Sequence, residues 1–411
     1  MNKRIKRKVI FLLLLIVFVV FFCFLVFILG RPVTKDYLRT MANQIIKTCK
    51  SDSHPTSCYD REIPKLMNKI SMEQAFEVTK YIQETDETYL FCHVLAHKLS
   101  NIEAKKKNVD WRDVLTRCPV TMCNNGCPHG VLMARFSGES LDEDQIKEII
   151  PDVSMICEPR QGWSPTEVER SMCYHAIGHL AMYVTAGDLQ RALDFCAVVS
   201  MKGDGRDYYQ TCAQGVFMSV FQPLEPDDIA LVKDIVPQKS EVPRFCGKYK
   251  AKSDDYFACM SESWPLFFDE ISKPGGLTKF CSFTNDEWGK NWCYGTGFTI
   301  MTTNLIAEDG VRKITDYCVD MIVERQGQCF ANMASRLVQI DPRYTQKAVE
   351  VCMFAQKIGQ SEHCFSDLLF YSKYSFVIGS EEHRKYCLFF PSGYSDKCLS
   401  GDVPTDFFGN L

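Results

Sequence analysis

The sequence predicts an all-α chain in which an N-terminal transmembrane helix precedes an α-solenoid of disulfide-linked helical hairpins. Three observations carry this expectation. From Cys157 onwards the cysteines come in couples 11 to 16 residues apart: Cys157/Cys173, Cys196/Cys212, Cys246/Cys259, Cys281/Cys293, Cys318/Cys329, Cys352/Cys364 and Cys387/Cys398. The second members recur every 34 to 47 residues, a period of stacked helical repeats. No long strand pattern interrupts them, and Asn125-Gly126 sits in a cysteine cluster rather than between alternating β-branched runs.

Taken in order, residues 1–8 form a basic tail with Lys3, Arg4, Lys6, Arg7 and Lys8. Residues 9–29, Val9 to Leu29, are apolar and uncharged. At about 1.5 Å per residue such a run spans roughly 30 Å, the hydrocarbon thickness of a bilayer. It exceeds a signal-peptide core, and no A-x-A-like cleavage site follows. The expectation is an uncleaved signal anchor in the cell membrane, with the N-terminus cytoplasmic and residues 30–411 extracytoplasmic; a long cleaved signal peptide is the alternative. The membrane is then a partner through residues 9–29. Twenty of the 21 cysteines follow this run, an even number that suits a disulfide framework in an oxidising compartment. No C-x-x-C occurs, which removes thioredoxin-type redox chemistry and c-type haem attachment. The net charge is −4, and the tail is basic, so the body is acidic. That argues against a nucleic-acid partner, since phosphate neutralisation needs Lys and Arg.

Beyond the anchor, Tyr37–Cys49 reads as a helix with Leu38, Met41, Ile45 and Ile46 on one stripe. Cys49 and Cys58 bracket a polar loop. Histidine-bearing units are expected over residues 86–186, and the remaining repeats over 187–411. In each repeat a helix A ends at the first cysteine, and a helix B begins at the second. Small residues follow the second cysteine, such as Ala176, Gly178, Gly215, Gly295, Gly297, Ala331 and Ala334, and let B helices approach closely. One hairpin cannot bury its apolar face alone, so neighbours stack.

The layout resembles the Sel1-like and TPR-type α-solenoids, particularly the secreted, cysteine-rich subset. Ala192, Leu193, Phe195 and Cys196, then Cys212 and Gly215, carry the likeness, which extends over most of residues 150–400. It departs from the pattern in its longer loops and variable unit length. The resemblance implies a fold and no chemistry. By analogy with the repeat couples, Cys118 pairs with Cys127, which leaves Cys92 for Cys123. Four cysteines allow three pairings, and spacing alone leaves all three open. A Cys₃His zinc set of Cys118, Cys123, Cys127 and His129 competes with them.

The residues that point to chemistry are histidines. His175 and His179 lie four apart in S-M-C-Y-H-A-I-G-H, and His93 and His97 repeat that spacing in F-C-H-V-L-A-H. Residues four apart share a helix face. His129 lies two residues after Cys127, as His175 lies two after Cys173. Five imidazoles thus occupy equivalent places in three consecutive units, and the next unit puts Gln214 and Met218 there. His93, His97, His129, His175 and His179 are the expected metal ligands. Imidazole suits Zn, Cu or Fe as the cofactor. The competing readings are polar spacers between packed helices and a metal-free general base. Glu87 and Glu169 each precede a pair by six residues, either as partners of ligand histidines or, more simply, as first-turn carboxylates. No H-E-x-x-H motif, phosphate loop or nucleophile elbow occurs. His54, His363 and His383 fall outside the register and are expected on the surface or in loops. The functional expectation is a membrane-anchored metal-dependent enzyme or metal-handling protein. The alternative is a metal-free scaffold binding a protein or peptide on the solenoid face, and a zinc hydrolase ranks third for want of a general base.

Overall fold

The computed structural model describes residues 33–404, apart from 87, 90–91, 120–121, 124–125, 137–140, 160–163, 224–225, 307–309 and 361–362. They form helices and no sheet; an isolated bridge joins Met201 and Asp207. The chain divides into two compact units, one ending at Asp86 and one beginning at Glu87.

In the first unit, α1 (Lys35–Cys49) begins at Thr34, whose side chain accepts the Tyr37 amide. It buries Leu38, Met41, Ala42 and Ile45, the stripe read from the sequence with Ala42 in place of Ile46. Helix α2 (Pro55–Glu62) follows, tied to α1 by Cys49–Cys58. Helix α3 (Met72–Thr85) starts in a capping box of Ser71 and Gln74 and buries Ala75, Phe76, Val78 and Ile82. Tyr59 donates to Asp86 at 2.6 Å and fixes the end of α3.

The second unit begins with α4 (His93–Ala104) and continues as hairpins: α5 (Trp111–Thr116) with α6 (Gly126–Phe136), α7 (Glu143–Ile156) with α8 (Glu167–Val184), and α9 (Leu189–Ser200) with α10 (Tyr209–Phe221). Then come α11 (Val242–Cys246) with α12 (Ser253–Glu262), α13 (Pro274–Phe280) with α14 (Glu287–Leu305), and α15 (Gly310–Val319) with α16 (Val323–Ile340). The last are α17 (Thr345–Lys357) with α18 (Cys364–Ser375), and α19 (Glu381–Cys387) with α20 (Tyr394–Ser400). Each hairpin carries one disulfide from the end of its first helix into its second, with Cα atoms 5.4–5.7 Å apart. Together with Cys49–Cys58 and Cys92–Cys123 there are ten bridges among the described residues. The pairings Cys118–Cys127 and Cys92–Cys123 leave no thiolates for a Cys₃His zinc set.

Helix α4 and the second helices of the hairpins as far as α18 form a continuous row, α4, α6, α8, α10, α12, α14, α16 and α18, each packed on the next. The row then curls until α18 packs against α8, where Tyr374 donates to Ser171 at 3.1 Å. This is a helical-repeat arrangement of a generic kind, and no feature marks it specifically as Sel1-like or TPR. An open array would keep repeats five apart from touching; here the curvature closes a turn.

The N-terminal transmembrane helix is not upheld. No helix among the described residues is long and apolar enough to cross a membrane. The longest, α14, has 19 residues and carries Glu287, Lys290, Asn291 and Asn304. The expected anchor over residues 9–29 lies outside the described residues. The fold class is therefore corrected to an all-α helical repeat. The cell-membrane location, the cytoplasmic N-terminus and the membrane partner have no structural basis, and nothing in the structure supports a protein or peptide partner on the repeat face.

One buried carboxyl makes stability pH-dependent. Glu262, at the end of α12, accepts from Gln222 at 2.9 Å. Burial pushes its carboxyl from 4.5 up to about 8. Its contribution is fully present below about 4.5 and is lost as pH rises through about 8. At about 1.36 kcal/mol per pKa unit, the loss has an upper bound of roughly 5 kcal/mol. Denaturant midpoints measured across that window should fall with rising pH, and Glu262→Gln should flatten the slope.

Candidate metal centre

The five expected ligands meet. His93 and His97 stand one turn apart on α4, His129 on α6, and His175 and His179 one turn apart on α8. The imidazole centroids of His129 lie 5.0 and 5.1 Å from those of His93 and His97, and 5.7 and 4.9 Å from those of His175 and His179. Two groups of potential ligand atoms result, His93/His97/His129 and His129/His175/His179, each with its atoms within 4.8 Å of one another. His129 belongs to both.

Glycine makes this convergence possible. Gly126 and Gly130 on α6 face the carbonyls of His93 and His97. Gly178 on α8 faces the Cys212 carbonyl, and Gly215 on α10 faces the His175 carbonyl. A Cβ at any of the four would penetrate its neighbour's backbone. Close parallel packing brings side chains of adjacent helices into one layer, with Ser219 opposite His179 and Met218 opposite His175. Glu158, just beyond α7, accepts from Tyr174 at 2.8 Å and from Arg206 at 2.9 Å, so the residue beside His175 is tied to a carboxylate that Arg206 holds in place.

Hydrogen bonds orient the rings. His93 Nδ1 lies 3.2 Å from the Cys123 carbonyl, which can only accept, so Nδ1 carries the proton and Nε2 is a lone pair. His175 turns its Nε2 toward His179 and Met218. Ser219 donates its hydroxyl to Gly215 at 3.0 Å, leaving its oxygen to accept from His179 Nδ1–H at 2.8 Å. The lone pair of His179 Nε2 therefore faces His175 Nε2 at 3.2 Å. His93 Nε2 and His97 Nε2 are 3.0 Å apart.

Ring nitrogens that close share either a hydrogen or a metal ion. Two nitrogens bound at about 2.0–2.1 Å to one zinc-like ion stand about 3.0–3.4 Å apart at near-tetrahedral angles. Both separations fall in that range, and backing of Nδ1 by carbonyl or hydroxyl groups is the usual support of a ligand imidazole. One neutral imidazole of a pair can also donate its Nε2–H to the other, whereas burial opposes a charged pair. Burial holds His175 down at about 4 and His179 well below the usual imidazole value. For His129, burial first and then the four neighbouring imidazoles act the same way. Neutral imidazoles are the form that binds metal.

Other expectations are revised. Glu169 closes a capping box with Thr166 at the start of α8 and does not reach a histidine; it is the first-turn carboxylate. Glu87 lies outside the described residues. His54 is exposed as expected, and His363 is half-buried at the start of α18. His383 is fully buried on α19, contrary to the surface assignment, because its Nδ1 accepts the Gly379 amide and its Nε2 lies 3.5 Å from Cys387 Sγ. His383, Cys387 and Cys398 also bring three potential ligand atoms together. Their sulfurs are bonded to each other and would become thiolates only on reduction. Two residues beside the centre had no assigned role in the sequence reading, Met218 and Ser219. Met218 was visible as the occupant of the second histidine position one repeat on.

Ser219→Ala should weaken metal binding about 10- to 100-fold, the usual cost of losing an outer hydrogen-bond partner. The check is chelator competition, with the fold verified by circular dichroism. Comparison with known proteins finds no family model, no curated protein and no solved structure that matches this chain.

Proposed function

We propose that the protein binds transition-metal ions through His93, His97, His129, His175 and His179, and that its function is metal handling. The observation that carries this reading is the convergence of five imidazoles, with His175 Nε2 and His179 Nε2 3.2 Å apart and His129 against both rings. Each i, i+4 pair holds one ion. His129 completes one triad or the other, because a neutral imidazole has a single free nitrogen. One ion is therefore held tightly and a second more weakly. All five donors are nitrogens, which suits Zn, Cu or Fe.

Handling is favoured over hydrolysis by the electrostatics of the site. Apart from burial, His129 and His179 respond to other imidazoles, and Glu169 is held in its capping box. A metal-dependent hydrolase needs a general base beside its metal-bound water, and the carboxylate best placed by sequence does not serve.

The test is titration of chelator-stripped protein with Zn²⁺ or Co²⁺. One tight and one weaker equivalent are expected. The double variant His175→Ala/His179→Ala should lose one of them and keep its disulfide-held fold. Binding no greater than that of a variant lacking all five histidines would overturn the reading.

A further inference from the structure

We propose that Met218 supplies a thioether ligand to the His129/His175/His179 triad and makes that half of the centre selective for copper(I). The inference rests on the metal-binding reading above and adds one ligand and a metal preference to it.

Met218 stands on α10, one repeat beyond α8, at the position equivalent to His179. Its Sδ lies 3.2 Å from His175 Nε2. His175 Nε2 thus faces two neighbours at once, the Met218 sulfur on α10 and His179 Nε2, both at 3.2 Å. A thioether sulfur carries no hydrogen and offers that nitrogen only lone pairs. A nitrogen bound at about 2.0 Å and a sulfur bound at about 2.3 Å to one ion lie about 3.2–3.5 Å apart at near-tetrahedral angles. A methionine that merely filled the core would set its sulfur against carbon. Met218 is only half-buried, and its sulfur abuts a ligand nitrogen.

The two halves of the centre then differ in softness. His93, His97 and His129 offer nitrogen alone. His129, His175, His179 and Met218 offer three nitrogens and a thioether. Thioether donors add little for zinc and favour copper(I). Neighbouring Ser219 orients His179, so α10 contributes both the soft ligand and the support of a ring.

The experiment loads the intact chain anaerobically with Cu⁺ and, separately, with Zn²⁺. Affinities are read by competition with a chromophoric chelator, and the copper shell by X-ray absorption. The expected copper shell contains nitrogens and one sulfur at about 2.3 Å. Met218→Leu, which conserves volume, should remove the sulfur and weaken Cu⁺ about 10-fold or more, on the scale of a lost supporting ligand. Zn²⁺ affinity should stay within about 3-fold, which also reports an intact fold. A nitrogen-only copper shell, or unchanged Cu⁺ affinity in Met218→Leu, would overturn the assignment of Met218 while the histidine centre stands. Failure of the unaltered chain to hold either ion would overturn the histidine centre and this inference with it.

Discussion

His129→Ala is expected to remove the tight ion altogether. His129 is the ring shared by both triads, with centroids of all four other imidazoles within 5.7 Å. Without it each side keeps a two-nitrogen chelate. The tight affinity should drop by at least about 100-fold, beyond the 10- to 100-fold that accompanies loss of an outer-shell partner. His93→Ala should instead spare the His129/His175/His179 triad. Calorimetric titration of the two variants with Zn²⁺ separates these outcomes. Equal losses in both would mean that His129 has no special place, and that the pairs share a single ion.

Gly215→Ala should destabilise the second unit by about 3 kcal/mol or more, the upper end of what overpacking produces. The added Cβ would meet the backbone carbonyl of His175, and Gly178 stands directly opposite. A flexible side chain could swing aside, but a helix backbone can only move away as a whole. The shift would separate α8 from α10 and take Ser219 from His179. Metal affinity should therefore fall although no ligand is altered. Gly203→Ala, in a loop with open space around it, is the control and should be close to neutral or slightly stabilising. Denaturant unfolding of both variants checks the contrast, and an unperturbed Gly215→Ala protein would show that α8 and α10 are not held at closest approach.

The parts of this molecule that were legible beforehand are those fixed by local spacing. Cysteine couples mark where one helix ends and the next begins, because a bridge between helix ends needs Cα atoms within about 4.4–6.8 Å. The histidine register was readable for the same reason: side chains at equivalent positions of stacked repeats become neighbours. Curvature was not legible. The contact of Tyr374 with Ser171 sums small rotations over several hairpins, and no short window of sequence contains that sum. The burial of His383 escaped because its partners, Gly379 and Cys387, satisfy both ring nitrogens in a local turn that hydrophobic periodicity does not register. Ser219 acts across a helix interface whose closeness depends on Gly178 and Gly215. The glycines were readable as points of close approach, but which side chains they bring together depends on the packed register.

The central claim is that the five histidines form a metal centre, and anomalous scattering tests it most directly. Crystals of the protein grown with Zn²⁺, measured on both sides of the zinc edge, should show a peak about 2.0–2.1 Å from the Nε2 atoms of His175 and His179, and in contact with His129. A peak elsewhere with none among these imidazoles, or no peak at all at saturating Zn²⁺, would contradict it.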